Sequence, residues 1–162
     1  METVLFDHAR LSVINRDEYI FTHTQNAIVY LLPYRCPKQG AYLLGHFEVC
    51  PAHSQRLELY AITGQCEAEA DPLSIALKEL HEEAGILALP SQFVSLGSGY
   101  LTKQADTVAH FFIINVTHMP QSKAPTDGSL FEQGSYCDWI SQEQALTAPC
   151  SGLQALLARA RL

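Results

Sequence analysis

Hydrophobic and polar positions change period several times along the chain, and each change marks an element. Over residues 4–13 apolar and polar side chains alternate loosely, which predicts a strand. Residues 27–32 form a continuous apolar run that stops at Pro33, the pattern of a strand buried on both faces. Turn residues fill 37–40, and 41–44 answers as the next strand. Residues 48–55 read as loop and 57–62 as strand again. At Asp71 the period becomes helical. Asp71 is a good N-cap, Pro72 suits the first helical position, and Gly85 stands where a left-handed C-cap belongs, so a helix is expected to about Ala84. Strands are expected at 93–96, 108–116 and 135–140, a polar loop at 119–134, and short helices at 141–146 and 152–161. Gly97 and Gly99 read as turn residues. Strands before and after a central helix predict an α/β domain, and no repeat or linker divides residues 1–162.

Composition narrows the function. The chain has 162 residues, 48% of them hydrophobic and 17% charged, too apolar for a disordered segment. No apolar run approaches the roughly 20 residues needed to span a bilayer, and the first residues lack the basic-then-apolar order of a secretory signal. A cytoplasmic protein without a membrane partner is expected. Lys and Arg number 10 against 17 Asp and Glu, a net charge of −7 that argues against a nucleic-acid partner. An acidic protein that handles phosphates usually does so through a divalent cation held by carboxylates. The cysteines Cys36, Cys50, Cys66, Cys137 and Cys150 form no C-x-x-C pair, so reduced thiols are expected rather than a zinc site or a disulfide framework. The histidines show no zinc-binding spacing either.

The helix carries the chemistry. At 100° per residue, Leu73, Ala76, Leu77, Leu80 and Ala84 share one side, a core stripe. Glu79, Glu82 and Glu83, at i, i+3 and i+4, share another. An acidic face is ordinarily just solvated. Here, though, the acids repel one another by a few tenths of a kcal/mol per pair, and they sit at the helix end where the macrodipole disfavours negative charge. A cation at that face would relieve both costs, and oxygen ligands on a rigid helix suit Mg²⁺ or Mn²⁺.

Residues 64–86 read GQCEAEADPLSIALKELHEEAGI. This resembles the Nudix box, G-x5-E-x7-R-E-U-x-E-E-x-G-U, with U a bulky aliphatic residue. Gly64, Glu79, Leu80, Glu82, Glu83, Gly85 and Ile86 match its defined positions, whereas Ala70 replaces the first Glu and Lys78 the Arg. The flanking strands and Asp138-Trp139-Ile140-Ser141 extend the resemblance to Nudix hydrolases over most of the chain. Within that family it looks most similar to the ADP-ribose and nucleoside-diphosphate-sugar pyrophosphatases. It departs from them at Leu44-Gly45-His46-Phe47, where they often carry an arginine.

The resemblance implies an α/β/α sandwich around a mixed β-sheet and a Mg²⁺-dependent (or Mn²⁺-dependent) pyrophosphohydrolase. The substrate would be a small-molecule nucleoside diphosphate linked to another group, and a homodimer is possible. It implies Glu79, Glu82 and Glu83 as metal ligands, with Gly64 giving a backbone carbonyl or allowing a tight loop. Glu79 and Glu82 are catalytic candidates, and Glu132, ahead of Asp127, is the candidate general base on the loop before the last strand. The family's first Glu and Arg brace the loop against the helix; here Glu67 or Glu69 could meet Lys78 instead. Tyr34, His46, Phe47, Tyr60 and Tyr100 are candidates for stacking on a base or sugar, and each could equally be a packing residue. The competing reading is a catalytically weak Nudix-like domain that binds a nucleotide or a partner protein.

Overall fold

A computed structural model describes residues 2–37, 40–125 and 134–161. The chain opens with an antiparallel meander of β1 (Glu2–His8), β2 (Leu11–Arg16) and β3 (Tyr19–His23). One strand was expected here, and three form. The β2–β3 turn places Asp17 and Glu18 at positive φ, 50° and 72°, a conformation that hairpin turns usually signal with Asn or Gly. Without those residues the turn leaves little trace in sequence. β3 is fastened to the segment before β9: the Thr22 amide donates to the Gln104 carbonyl, and the Asp106 amide to the Thr22 carbonyl.

The main sheet is mixed. Its order is β10 (Tyr136–Ile140), β5 (Tyr42–Val49), β4 (Ala27–Arg35), β9 (Val108–Asn115) and β8 (Phe93–Tyr100). Among the described residues, only β4 and β9 run parallel in this sheet. The expected strand at 57–62 is two strands, β6 (Leu57–Tyr60) and β7 (Ile62–Cys66), broken at the fully buried Ala61. β6 pairs with β5 and β7 with β4, so the sheet forks: β4 pairs with β7 as far as Leu31 and with β5 from Tyr34. The expected loop at 48–55 begins later, because β5 continues to Val49.

Helices cover both faces, as the α/β/α expectation requires. Along β4, Val29 and Leu31 face one core with Leu44, Ile62, Phe112 and Ile114. Leu32 faces the other, with Leu43, Phe111, Leu153 and Leu156. The first core is closed by α1 (Pro72–Ala84), and the second by α2 (Gln142–Thr147) and α3 (Ser151–Ala160). This is why the 27–32 run is apolar without alternation: both faces of β4 are inside. Gly97 and Gly99 lie within β8 rather than in a turn, Gly97 at a bulge and Gly99 paired with Ala109. The Arg159 guanidinium of α3 sits over the Phe111 ring and donates to the carbonyls of Leu96 (3.0 Å) and Ser98 (3.3 Å). All five cysteines are free thiols. Among the described residues no helix is long and apolar enough to cross a membrane.

Leu80 of α1 is fully buried against the sheet. Leu80→Ala is expected to cost about 2–5 kcal/mol of stability, measured by urea unfolding.

Candidate active site

The site begins with how α1 is held at its ends. Asp71 accepts hydrogen bonds from the amides of Leu73 (3.4 Å) and Ser74 (3.0 Å) and from the Ser74 hydroxyl (2.8 Å). The Ser74 hydroxyl chiefly, and the two amides with it, hold the Asp71 carboxyl below its ordinary range. At the other end Gly85 takes the left-handed conformation, φ 66° and ψ 26°, and its amide donates to the His81 carbonyl. A β-carbon on Gly85 would strike the Ser122 carbonyl as well. The last carbonyls of the helix are met from outside: Gln121 Nε2 donates to Ala84 (3.1 Å), while the Ser122 amide and hydroxyl both donate to Gly85 (2.9 Å). The segment 121–122 is thereby stitched to the helix end.

With Ala76, Leu80 and Ala84 buried, the glutamates fall along the flank of the helix, each half-buried. Glu79, 14% exposed at its side chain, packs against the Gly64 backbone on β7. A β-carbon there would lie 2.5 Å from Glu79 Cγ and 2.7 Å from Glu79 Oε1, so only glycine leaves the acid its place. Gly64, expected to give a backbone carbonyl or to allow a tight loop, stands in strand β7 and matters here through this close approach. Glu82 Oε2 lies 3.0 Å from Lys78 Nζ, which also reaches Glu79 Oε1 at 3.7 Å. Lys78 thus takes partners on its own helix. Glu83, 11% exposed at its side chain, puts Oε2 2.8 Å from Nδ1 of His46 on β5.

Glu82, Glu83 and His46 line a cleft of about 330 Å³, with Gln121, Ser122, Lys123 and Ala124 on one side and Ser135, Tyr136 and Cys137 on another. Burial first, and the negative charge of Glu83 second, push the Cys137 thiol far above its ordinary range, so it remains protonated. The two carboxylates of the cleft, Glu82 and Glu83, offer the oxygen donors that a hard divalent cation takes, whereas Glu79 and Gly64 are not among its lining residues. Among the described residues, however, no three His, Cys, Asp or Glu side chains converge closely enough to hold one ion. Lys78 Nζ stands within ion-pair distance of Glu79 and Glu82, and His46 Nδ1 lies beside Glu83 without making a hydrogen bond to it.

The stacking candidates divide. His46 is in the cleft but engages Glu83, and Phe47 stacks on Tyr136, a lining residue, at 5.0 Å between ring centres. Tyr60 is buried, and its hydroxyl donates to Glu58. Tyr34 packs on the α2–α3 core, and Tyr100 is exposed. The candidate base Glu132, and Asp127 with it, lie outside the described residues. Sequence reasoning missed Gln121, Ser122, Tyr136 and Cys137 as site-forming residues. Only the proximity of the last two to Trp139 offered a signal.

No family model matches the sequence, and no curated protein does. Solved structures do resemble it in fold. A crystal structure of an ADP compounds hydrolase is 12% identical, covering 99% of this chain and 90% of that one with a TM-score of 0.70. MutT, studied from Aliivibrio salmonicida and Vibrio cholerae, is 13% identical, covering 85% of this chain and 98% of that one at 0.58. A MutT/nudix family protein from Enterococcus faecalis is 15% identical and covers 72% of this chain at 0.55; the chain spans only 44% of its length. The chain therefore has the Nudix-like α/β fold, a mixed sheet with flanking helices.

Gly64→Ala is expected to destabilise the protein by about 1–3 kcal/mol through overpacking against Glu79 and Ile75. Adding Glu79→Ala should recover part of that loss, and a double-mutant cycle by urea unfolding measures the recovery.

Proposed function

We propose that the protein is a Nudix hydrolase, a pyrophosphohydrolase dependent on Mg²⁺ or Mn²⁺. Its substrate is a nucleoside diphosphate linked to a further group, such as ADP-ribose or a nucleotide sugar, cleaved to a nucleotide and a phosphorylated product. The observation that carries this reading is the placement of Glu79 against Gly64, on a helix whose Glu82 and Glu83 border a cleft. The fold likeness to an ADP compounds hydrolase supports it.

In this reading Glu79, Glu82 and Glu83 hold the cation with the Gly64 backbone. A bound divalent cation neutralises pyrophosphate charge and acidifies water at neutral pH. The chain's own residues supply the rest. The helix end fixes the acids, the 121–122 segment walls the cleft, and Lys123 gives a positive charge beside it for the substrate's phosphates. Glu132 is the proposed acceptor of the water's proton, with Glu79 and Glu82 next in line. A homodimer would cover the meander's exposed Val4, Leu5, Phe6 and Ile20.

One observation favours the weaker reading, a domain that binds without efficient turnover. Lys78 already supplies a positive charge to Glu79 and Glu82. Phosphate release from a panel of nucleoside diphosphate derivatives separates the two readings. Hydrolysis is expected only with millimolar Mg²⁺ or Mn²⁺ and should vanish in excess chelator; activity that survives chelation would sink the proposal. Glu83→Gln is expected to lower turnover by about 100-fold or more while the thermal unfolding midpoint changes little.

A further inference from the structure

Arg35 ends β4, half-buried, and among the described residues no carboxylate meets its guanidinium. What it meets are ring faces. Its Cζ lies 4.1 Å from the centre of the Trp139 ring and 5.5 Å from that of Tyr42. Its Nε is buried and makes no hydrogen bond to any described residue. A guanidinium drawn partly out of water is costly unless its charge and its N–H groups are answered. Rings answer part of the charge but leave the five N–H donors without an oxygen. The chain has 17 acids against 10 bases, so the lack is not one of supply.

The place of this group in the sheet is well defined. Tyr42 stands opposite Arg35 across the β4–β5 pair, and Trp139 stands opposite Leu44 across the β5–β10 pair. Leu44 and Trp139 belong to the α1-side core, so the guanidinium and the Trp139 ring lie on the face of the sheet that carries the cleft. Asp138, beside Trp139 in sequence, alternates to the other face, and its carboxylate accepts from the Trp139 amide at 2.7 Å. Cys137, on the same face as Trp139, lines the cleft. Two residues of strand, about 7 Å, separate Cys137 from Trp139.

We propose that Arg35, held over Trp139 and Tyr42, forms an oxyanion site beyond the cleft that takes a phosphate group. The rings fix the guanidinium, and its outward N–H groups form a fork that matches two oxygens of a phosphate. Such an oxyanion answers the donors that the rings leave unmet, and little side-chain freedom remains to be lost when it binds. The group is either free phosphate or a phosphate of the molecule in the neighbouring cleft; the recognising chemistry is the same. No divalent cation takes part, so the site stands or falls apart from the cation-dependent reading above.

Trp139 is the only tryptophan of the chain, and its fluorescence therefore reports on this place. Inorganic phosphate is titrated into the full chain at neutral pH in excess chelator, against chloride at equal ionic strength. A saturable change is expected with phosphate and none with chloride. Arg35→Gln is expected to abolish it, and Arg35→Lys, which keeps the charge but not the fork, to weaken binding about tenfold or more. Thermal unfolding midpoints establish that each variant is folded and give a second readout, since millimolar phosphate should raise the wild-type midpoint more than that of Arg35→Gln. Should Arg35→Gln fail to fold, Arg35→Lys decides alone. No saturable response in wild type, a response that persists in folded Arg35→Gln, or equal binding by folded Arg35→Lys overturns the proposal. ADP-ribose, also in chelator, then identifies the source. Displacement of phosphate by it assigns the site to the molecule in the cleft, and simultaneous binding assigns it to free phosphate; either result upholds the site.

Discussion

Helix α1 must bury Ala76, Leu80 and Ala84 flat against the sheet, and the site follows from where that leaves its other residues. At 100° per residue the acids cannot escape the boundary between core and solvent. Glu79 is driven against β7, where glycine makes room, and Glu83 toward β5, where a buried histidine receives it. The same seating brings the helix end to the 121–122 segment, whose side chains take up its last carbonyls. Packing of one apolar stripe thus sets the positions of three carboxylates and one wall of the cleft.

Electrostatics works against that arrangement. Three acids near a helix C-terminus repel one another and oppose the macrodipole. The chain answers with Lys78, which spans Glu79 and Glu82, while His46 Nδ1 lies 2.8 Å from Glu83 Oε2. Ala70 and Lys78 have a structural sense together. With no acid at position 70, the lysine turns along its own helix. Ala70 instead packs at the edge of the α1-side core, where a carboxylate would need a partner.

The forked sheet is what makes a cleft possible. β4 exchanges β7 for β5 along its length, so β5 and β10 diverge from the rest and carry His46, Tyr136 and Cys137 to the end of α1. The helices on the opposite face leave that side untouched. They complete the second core through Leu153, Leu156 and Leu157, and Arg159 fastens α3 to the bulge of β8.

Local signals determined a great deal. Asp71, Pro72 and Gly85 marked both ends of α1 because capping is a matter of adjacent residues, and the period of the glutamates placed them on one flank. The unbroken apolar run of β4 announced a strand covered on both faces. What sequence could not announce is what depends on partners far away in the chain. The Asp17–Glu18 turn adopts positive φ without glycine or asparagine, the break at Ala61 exists because two strands pair with different neighbours, and Gly64 is required by a helix side chain rather than by a turn. Lys78 had open choices until the helix was seated. His46 could be read only as a stacking candidate, since its place beside Glu83 arises when β5, β10 and the end of α1 are brought together; short-range patterns encode elements, whereas the contacts between elements are decided by packing.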